Sequence, residues 1–248
     1  MAELKKRVDD NGQPAVKAGP LAIGHQRWSD RAIEFIQTKG AINTSVSPLD
    51  QQVLRTDVTG MPLEWIGHQD AVKLIVLGQV SYTLGSVIYA LQGGHNAKTG
   101  HRTKIGVNAI MATHGAHPNA HKFYDCYTPP LSNRALFKRD ANLCLYCGTT
   151  FMTRDLSRDH VKPLAQGGAD TWENVVTACK RCNNHKGSKT PEQANMQLIA
   201  IPFAPTHAEY VYLQGRRILA DQMEFLLAHF PRNSQLRKRL TQQNPDWA

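Results

Sequence analysis

Apolar positions along the chain recur at two periods. Near the start, Ile33 and Ile36 follow Ser29 at helical spacing and give way to Gly40, which predicts a short serine-capped helix from Ser29 to about Thr38. From Gln52 the pattern changes: QVLRTDV reads as a strand and runs into a Gly60-Met61-Pro62 turn. Residues 68–78, HQDAVKLIVLG, place Ala71, Leu74, Ile75 and Leu77 on one side of a helix that Gly78 ends. SYTLGSVIYALQGG, with its β-branched and aromatic residues, predicts another strand, so the front part has a βαβ-like order. Residues 93–121 carry His95, His101, His114, His117 and His121 at irregular spacings, with Pro118 inside the one pair that a helix would align. This stretch reads as a loop.

Farther along, residues 122–143 lead into the cysteines, with Arg134, Lys138 and Arg139 on a predicted strand or short helix; LSRDHVKPL predicts a strand, Gln166-Gly167-Gly168 a turn, and CKRCNNHKG a knuckle that starts a helix. Thr190-Pro191-Glu192 has the order of a helix cap with proline at the first position. Residues 216–230 predict an amphipathic helix with Ile218, Leu219, Met223, Leu226 and Leu227 inward, stopping before Pro231. The expected organisation is an N-terminal extension with a short helix (1–50), an α/β scaffold region (51–130), a compact module (131–195), and a C-terminal tail with a basic helical region (196–248).

Charge adds a location to this outline. The 248 residues carry a formal net charge of +9. Residues 131–190 hold ten Lys/Arg against five Asp/Glu, and 215–240 hold six against two, so these two stretches account for the whole excess. A positive field there suits a polyanion, whose neutralised phosphates release counterions. The opening MAELKKRVDD lacks the apolar core of a secretory signal, and no run of about eighteen apolar residues occurs, so no membrane span is expected and the expected compartment is the cytoplasm. Nothing in the sequence sets the oligomeric state.

The candidate chemistry lies between 144 and 189. Cys144, Cys147, Cys179 and Cys182 form two Cys-x-x-Cys pairs separated by 31 residues, the spacing of a closed structural Zn²⁺ site; two disulfides or reduced thiol pairs are the other reading. Such a site contributes about 10–16 kcal/mol of apparent binding energy to folding. Cys126 has no partner at metal spacing and reads as a packed free thiol. With four ligands filled the zinc cannot do chemistry, so reactivity falls to what the excursion carries: Asp159, His160, Asn174, Asn183 and His185. An imidazole can deprotonate water, a carboxylate and an amide oxygen can hold a hard cation, and a second amide can fix a loop. That set suits phosphodiester hydrolysis.

RALFKRD, SRDHVKPLAQGG and TWENVVTACKRCNNHKGSKTPEQA together resemble the HNH endonucleases with a ββα-metal fold, in the subgroup stapled by four cysteines, over about residues 131–195. The resemblance implies an α+β fold and roles for single residues. His160 is the expected general base, Asp159 a metal ligand, and Asn174 the residue that orients the loop behind the base. Asn183, directly after the last zinc cysteine, is the second ligand of the catalytic cation, Mg²⁺ or Mn²⁺, with His185 as the competing candidate. This departs from the literal His-Asn-His pattern toward His-Asn-Asn. The substrate implied is DNA, expected to be double-stranded. Arg134, Lys138, Arg139, Arg158, Lys162, Lys180, Arg181, Lys186 and Lys189 are the expected phosphate contacts, and the basic run Arg232–Arg239 is either a solvated end or a further one. A non-catalytic zinc-containing nucleic-acid-binding protein and an RNA-cleaving nuclease remain the alternatives.

Overall fold

The computed structural model describes residues 50–114 and 127–244, all within one unit, Ser47–Ala248. The helix expected at Ser29–Thr38, together with His117, His121 and Cys126, lies outside the described residues.

Strand β1 (Val53–Thr56) turns back into β2 (Pro62–Ile66), antiparallel to it. The turn is set by Asp57, whose Oδ1 accepts from the Thr59 and Met61 amides, each at 2.9 Å, and by Gly60 at φ +90°. Helix α1 (His68–Val76) follows and ends ahead of Gly78, at φ +66°. Next come β3 (Val80–His95) and β4 (Arg102–Thr113), a long antiparallel hairpin. The sheet order is β2-β1-β4-β3, with β1 parallel to β4. The βαβ expectation is therefore corrected: the parallel partner of β1 is β4, and β3 takes the edge.

The loop expected at 93–121 is corrected as well, because residues 102–113 form one of the two inner strands. Val107 and Met111 join Val53, Ile66, Ala71 and Tyr89 in a core beside α1, whereas Ala109 and Ile110 join Leu54 and the C-terminal helices. A strand covered on both faces shows no polar alternation, so its period is hidden.

The second sheet is small. Helix α2 (Asn133–Arg139), capped by Ser132, leads through a turn with Ala141 and Asn142 at positive φ into the first cysteine pair. Strands β5 (Leu156–His160) and β6 (Val175–Cys179) pair antiparallel, and α3 (Lys180–Lys186) starts directly from Cys179, giving a ββα unit. Thr190 begins only a single turn, through Asn195 at φ +52°, not the expected helix. Then α4 (His207–Gln214) starts from a Thr206–Glu209 capping box, followed by α5 (Ala220–Ala228) and α6 (Gln235–Gln243). Met223, Leu226 and Leu227 of α5 are buried as expected, α6 falls within the stretch expected only as a basic helical region, and α4 was not foreseen. Among the described residues no helix is long and apolar enough to cross a membrane.

Three connections join these parts. Gly85, at φ +75°, lies so close to α5 that a Cβ would be 2.6 Å from Asp221 Oδ2, and that carboxylate accepts from the Ser86 amide at 2.7 Å. Gln222 donates to Gln52 O and Ala109 O, each at 2.8 Å. Arg139, 1% exposed, pairs with Asp140 at 2.8 Å and donates to the carbonyls of Trp172, Phe203 and Val175 at 2.8–2.9 Å. Asp140 Oδ2 in turn accepts from the Thr177 amide at 2.8 Å. Arg139→Met removes this cation while leaving a buried carboxylate and three carbonyls without it, and is expected to cost about 3–5 kcal/mol. Urea unfolding measures it, and a loss below about 1 kcal/mol, the worth of one ordinary hydrogen bond, would refute the assignment.

Candidate active site

The four cysteine sulfurs converge because the knuckle 144–148, the end of β6 and the first turn of α3 meet. The Sγ atoms of Cys144, Cys147, Cys179 and Cys182 all lie within 4.8 Å of one another. Gly148, at φ +70°, closes the knuckle by donating to Cys144 O at 2.9 Å, and Leu145 N ties it to β6 through Thr177 O. Cys179 Sγ accepts from Cys182 N at 3.4 Å, capping α3. Four thiols with no oxygen donor among them are the set that suits a tetrahedral zinc. Among the described residues no other group of three or more His, Cys, Asp or Glu side chains converges in this way.

Strand alternation sends Asp159 and His160 to opposite sides of β5. Asp159 faces inward and is 5% exposed. Its Oδ1 pairs with Lys186 Nζ at 3.0 Å, and its Oδ2 accepts from Tyr146 Oη at 2.5 Å. Burial and the neighbouring Asp159 carboxylate push the Tyr146 phenol well above its ordinary pKa, so it stays a donor. Lys186, three residues after Asn183, also donates to His160 O at 2.8 Å. Asn183 Nδ2 donates to Ser157 Oγ at 2.9 Å, which directs this amide onto β5 and leaves its Oδ1 as the remaining acceptor.

His160 is oriented from the opposite side. Its Nε2 lies 2.9 Å from Asp170 Oδ1, and Arg158 holds both oxygens of Asp170 at 2.8–2.9 Å. Arg158 Nε in turn donates to Asn133 Oδ1 on α2 at 2.9 Å. The hydrogen bonds from His160 and Arg158 hold the Asp170 carboxyl below the usual carboxylate range. Asn174 fastens the intervening loop: Oδ1 accepts from Lys162 N at 2.9 Å, and Nδ2 donates to Lys162 O at 3.0 Å and Ala169 O at 2.7 Å. Gly168 permits this closure, since a Cβ there would be 1.9 Å from Lys162 O.

His185 is exposed on α3 and lines a cavity beside the cysteines with Lys180, Arg181 and Phe151, away from the face that Asn183 and Lys186 present to β5. The expected phosphate contacts divide. Arg134, Lys162, Lys180, Arg181 and Lys189 are exposed, and Arg158 is half-buried on Asp170. Three expectations are corrected. Arg139 is in the core, and Lys186 is 1% exposed on Asp159. Lys138 donates to Tyr212 O and Gly215 O, and burial depresses its pKa to about 8. In the basic run, Arg237 and Arg239 donate to Leu227 O and Arg139 O, while Arg232 and Lys238 are exposed. Tyr146 and Asp170 were missed, although each left a trace: one is the polar member of the two residues between Cys144 and Cys147, the other an acid ten residues after the histidine.

Residues 144–199 match the sequence profile of the HNH endonuclease family. Two curated relatives, each a CRISPR-associated endonuclease Cas9, share parts of the chain. The Corynebacterium diphtheriae protein is 44% identical over 46 residues, 18% of this chain and 4% of its own length. The Actinomyces naeslundii protein is 31% identical over 105 residues, 42% of this chain and 9% of its own length. This chain therefore spans less than a tenth of either relative. The profile match, the cysteine cluster and the ββα order agree, and residues 144–199 are an HNH endonuclease segment carried on a larger α+β framework.

Proposed function

We propose that this chain is a metal-dependent endonuclease that hydrolyses phosphodiester bonds in DNA. The observation that carries the reading is the arrangement around β5: an imidazole oriented by Asp170 on one side, and a buried carboxylate facing the amide-bearing helix α3 on the other. With Nε2–H given to Asp170, Nδ1 of His160 is left as the acceptor for a proton from water. Asn174 and Gly168 hold the loop behind it, so the ring keeps one direction. Deprotonated water attacking phosphorus in line with the P–O3′ bond, from the side opposite it, would break that bond and leave a 5′-phosphate and a 3′-hydroxyl.

Asp159 and Asn183 are the hard oxygen donors that would hold Mg²⁺ or Mn²⁺. Lys186 and Tyr146 use two of the roughly four acceptor positions of the Asp159 carboxylate, and the others are available to an ion. Held there, a divalent cation would supply charge stabilisation to the phosphate and the leaving 3′ oxygen. The shared orientation of Asn183 and Lys186 toward β5 favours Asn183 over His185 as ligand. The four cysteines would hold zinc as a structural closure with no open position. Arg134, Lys162, Lys180, Arg181 and Lys189 are the exposed cations suited to backbone phosphates.

Purified full-length protein should carry one zinc per chain, and Cys179→Ser should unfold the module. Folded, soluble protein with well under one equivalent by elemental analysis speaks against the closed site. His160→Ala should lower plasmid cleavage by about 10²–10⁴ while zinc content and melting midpoint hold, and full cleavage by this variant would remove the nuclease reading. Asn183→Ala should raise the divalent cation needed for half-maximal rate and His185→Ala should be mild; the reverse result moves the ligand to His185. Asp170→Asn should lower kcat with KM nearly unchanged, by about 10–10²-fold. The same exchange in a buried triad costs about 10⁴, and Asp170 is half exposed. An unchanged kcat would make the Asp170 contact incidental.

A further inference from the structure

A second concave site lies outside the ββα unit. A cavity of about 370 Å³ opens between β2, the start of α2 and α4. Trp65, Tyr127 and Tyr210 line it, and Arg134 and Arg216 lie among its walls. The tryptophan is fixed: its Nε1 donates to Val211 O at 2.6 Å, and its ring packs so closely on Gly215 that a Cβ there would come within 2.8 Å of it. Both arginines are exposed, and among the described residues neither pairs with a carboxylate. Glu64 also lines the cavity, but Arg55 neutralises it at 2.6 Å. The result is a pocket of aromatic surface with two unneutralised guanidinium groups.

That chemistry is selective. Aromatic walls take a flat π-system by its faces, and guanidinium groups take phosphate oxygens two at a time. A ligand that offers both is a nucleotide. A base inside a continuous duplex already has its faces covered by its neighbours, so only a nucleotide out of the stack can enter. The location fits a substrate strand as well. Asn133, adjacent to Arg134 on α2, accepts from Arg158, which holds Asp170, which holds His160. Three hydrogen bonds thus separate the helix end bearing a pocket arginine from the imidazole.

We infer that this cavity takes one unstacked nucleotide of the strand bound at the ββα site, its base among Trp65, Tyr127 and Tyr210 and its phosphate on Arg134 and Arg216. The chain then favours DNA with an unpaired nucleotide over a continuous duplex. This inference rests on the nuclease reading for what delivers the strand, but its test is a binding measurement.

Full-length His160→Ala protein, which leaves the substrate intact, is titrated against a short labelled duplex bearing one unpaired nucleotide and against the same duplex fully paired. The expected preference for the first is about tenfold or more, the worth of one stacked base. Tyr210→Ala and Arg216→Ala should each reduce that ratio toward parity, and Tyr210→Phe, which keeps the ring face, should retain it. Equal binding of both duplexes by the parent protein overturns the proposal. So does an undiminished preference in the exposed Arg216→Ala variant together with a folded Tyr210→Ala variant, folding being read from the melting midpoint. A deoxynucleoside monophosphate that binds tightly, and whose binding the paired and unpaired duplexes compete for equally weakly, identifies a free nucleotide as occupant and overturns the substrate-strand reading. If the preference is present and follows the variants while the unmodified protein cuts no DNA, the pocket stands and the nuclease reading fails alone.

Discussion

The buried Arg139–Asp140 pair is the constraint on which the arrangement of the ββα unit depends. A guanidinium has five donors in one plane, and here they reach Asp140, the two carbonyls that flank Asn174 by two residues and one, and Phe203 O in the returning tail. Asp140 completes the link by accepting from the backbone of β6. Helix α2, the loop that ends in Asn174, the strand that ends in Cys179 and the start of the C-terminal segment are therefore referenced to one side chain. Stacking of the same guanidinium near the Trp172 and Phe203 rings, at 5.6 and 5.4 Å, lets an ion stay in an otherwise apolar setting. Arg239 adds a further donor to Arg139 O, so the middle of the last helix is also tied to this point.

From that reference, β5 distributes two tasks to two faces. Inward, the carboxylate of Asp159 receives one hydrogen bond from the cysteine knuckle and one charge from α3, so the knuckle and the helix fix it jointly. Outward, His160 is held by Asp170, which Arg158 anchors back to α2. Adjacent residues on a strand cannot share a face, and the local sequence answers this by giving each its own set of partners.

Legibility in the sequence followed how far each signal reaches. Cysteine spacing, the Asp159-His160 pair and the glycine turn at 166–168 are local patterns, and the structure puts the sulfurs together and the turn where the spacing placed it. β4 was hidden because both of its faces are covered, and the histidines on either side of it, His101 and His114, mask the apolar run VNAIMA. The inward turn of Lys138, Arg139 and Lys186 was not legible either. A count of charges has no direction, and whether a lysine meets solvent or a carboxylate is decided by residues far away in sequence: Asp159 is 27 positions from Lys186. Asp170 escaped for the same reason, since its value to His160 depends on how the loop returns.

That returning loop carries a consequence for how such a chain can vary. Asn174 grips both backbone groups of Lys162, and Gly168 passes where no Cβ fits, so the segment is a closed ring measured in residues. Its exposed tip, 164–167, can lengthen outward without moving the clasp. The stretch from Gly168 to Asn174 cannot, because one added residue there would turn Asp170 or the clasping amide out of reach. Added length in this loop is thereby confined to one arc, and the distance from clasp to imidazole stays set by the clasp.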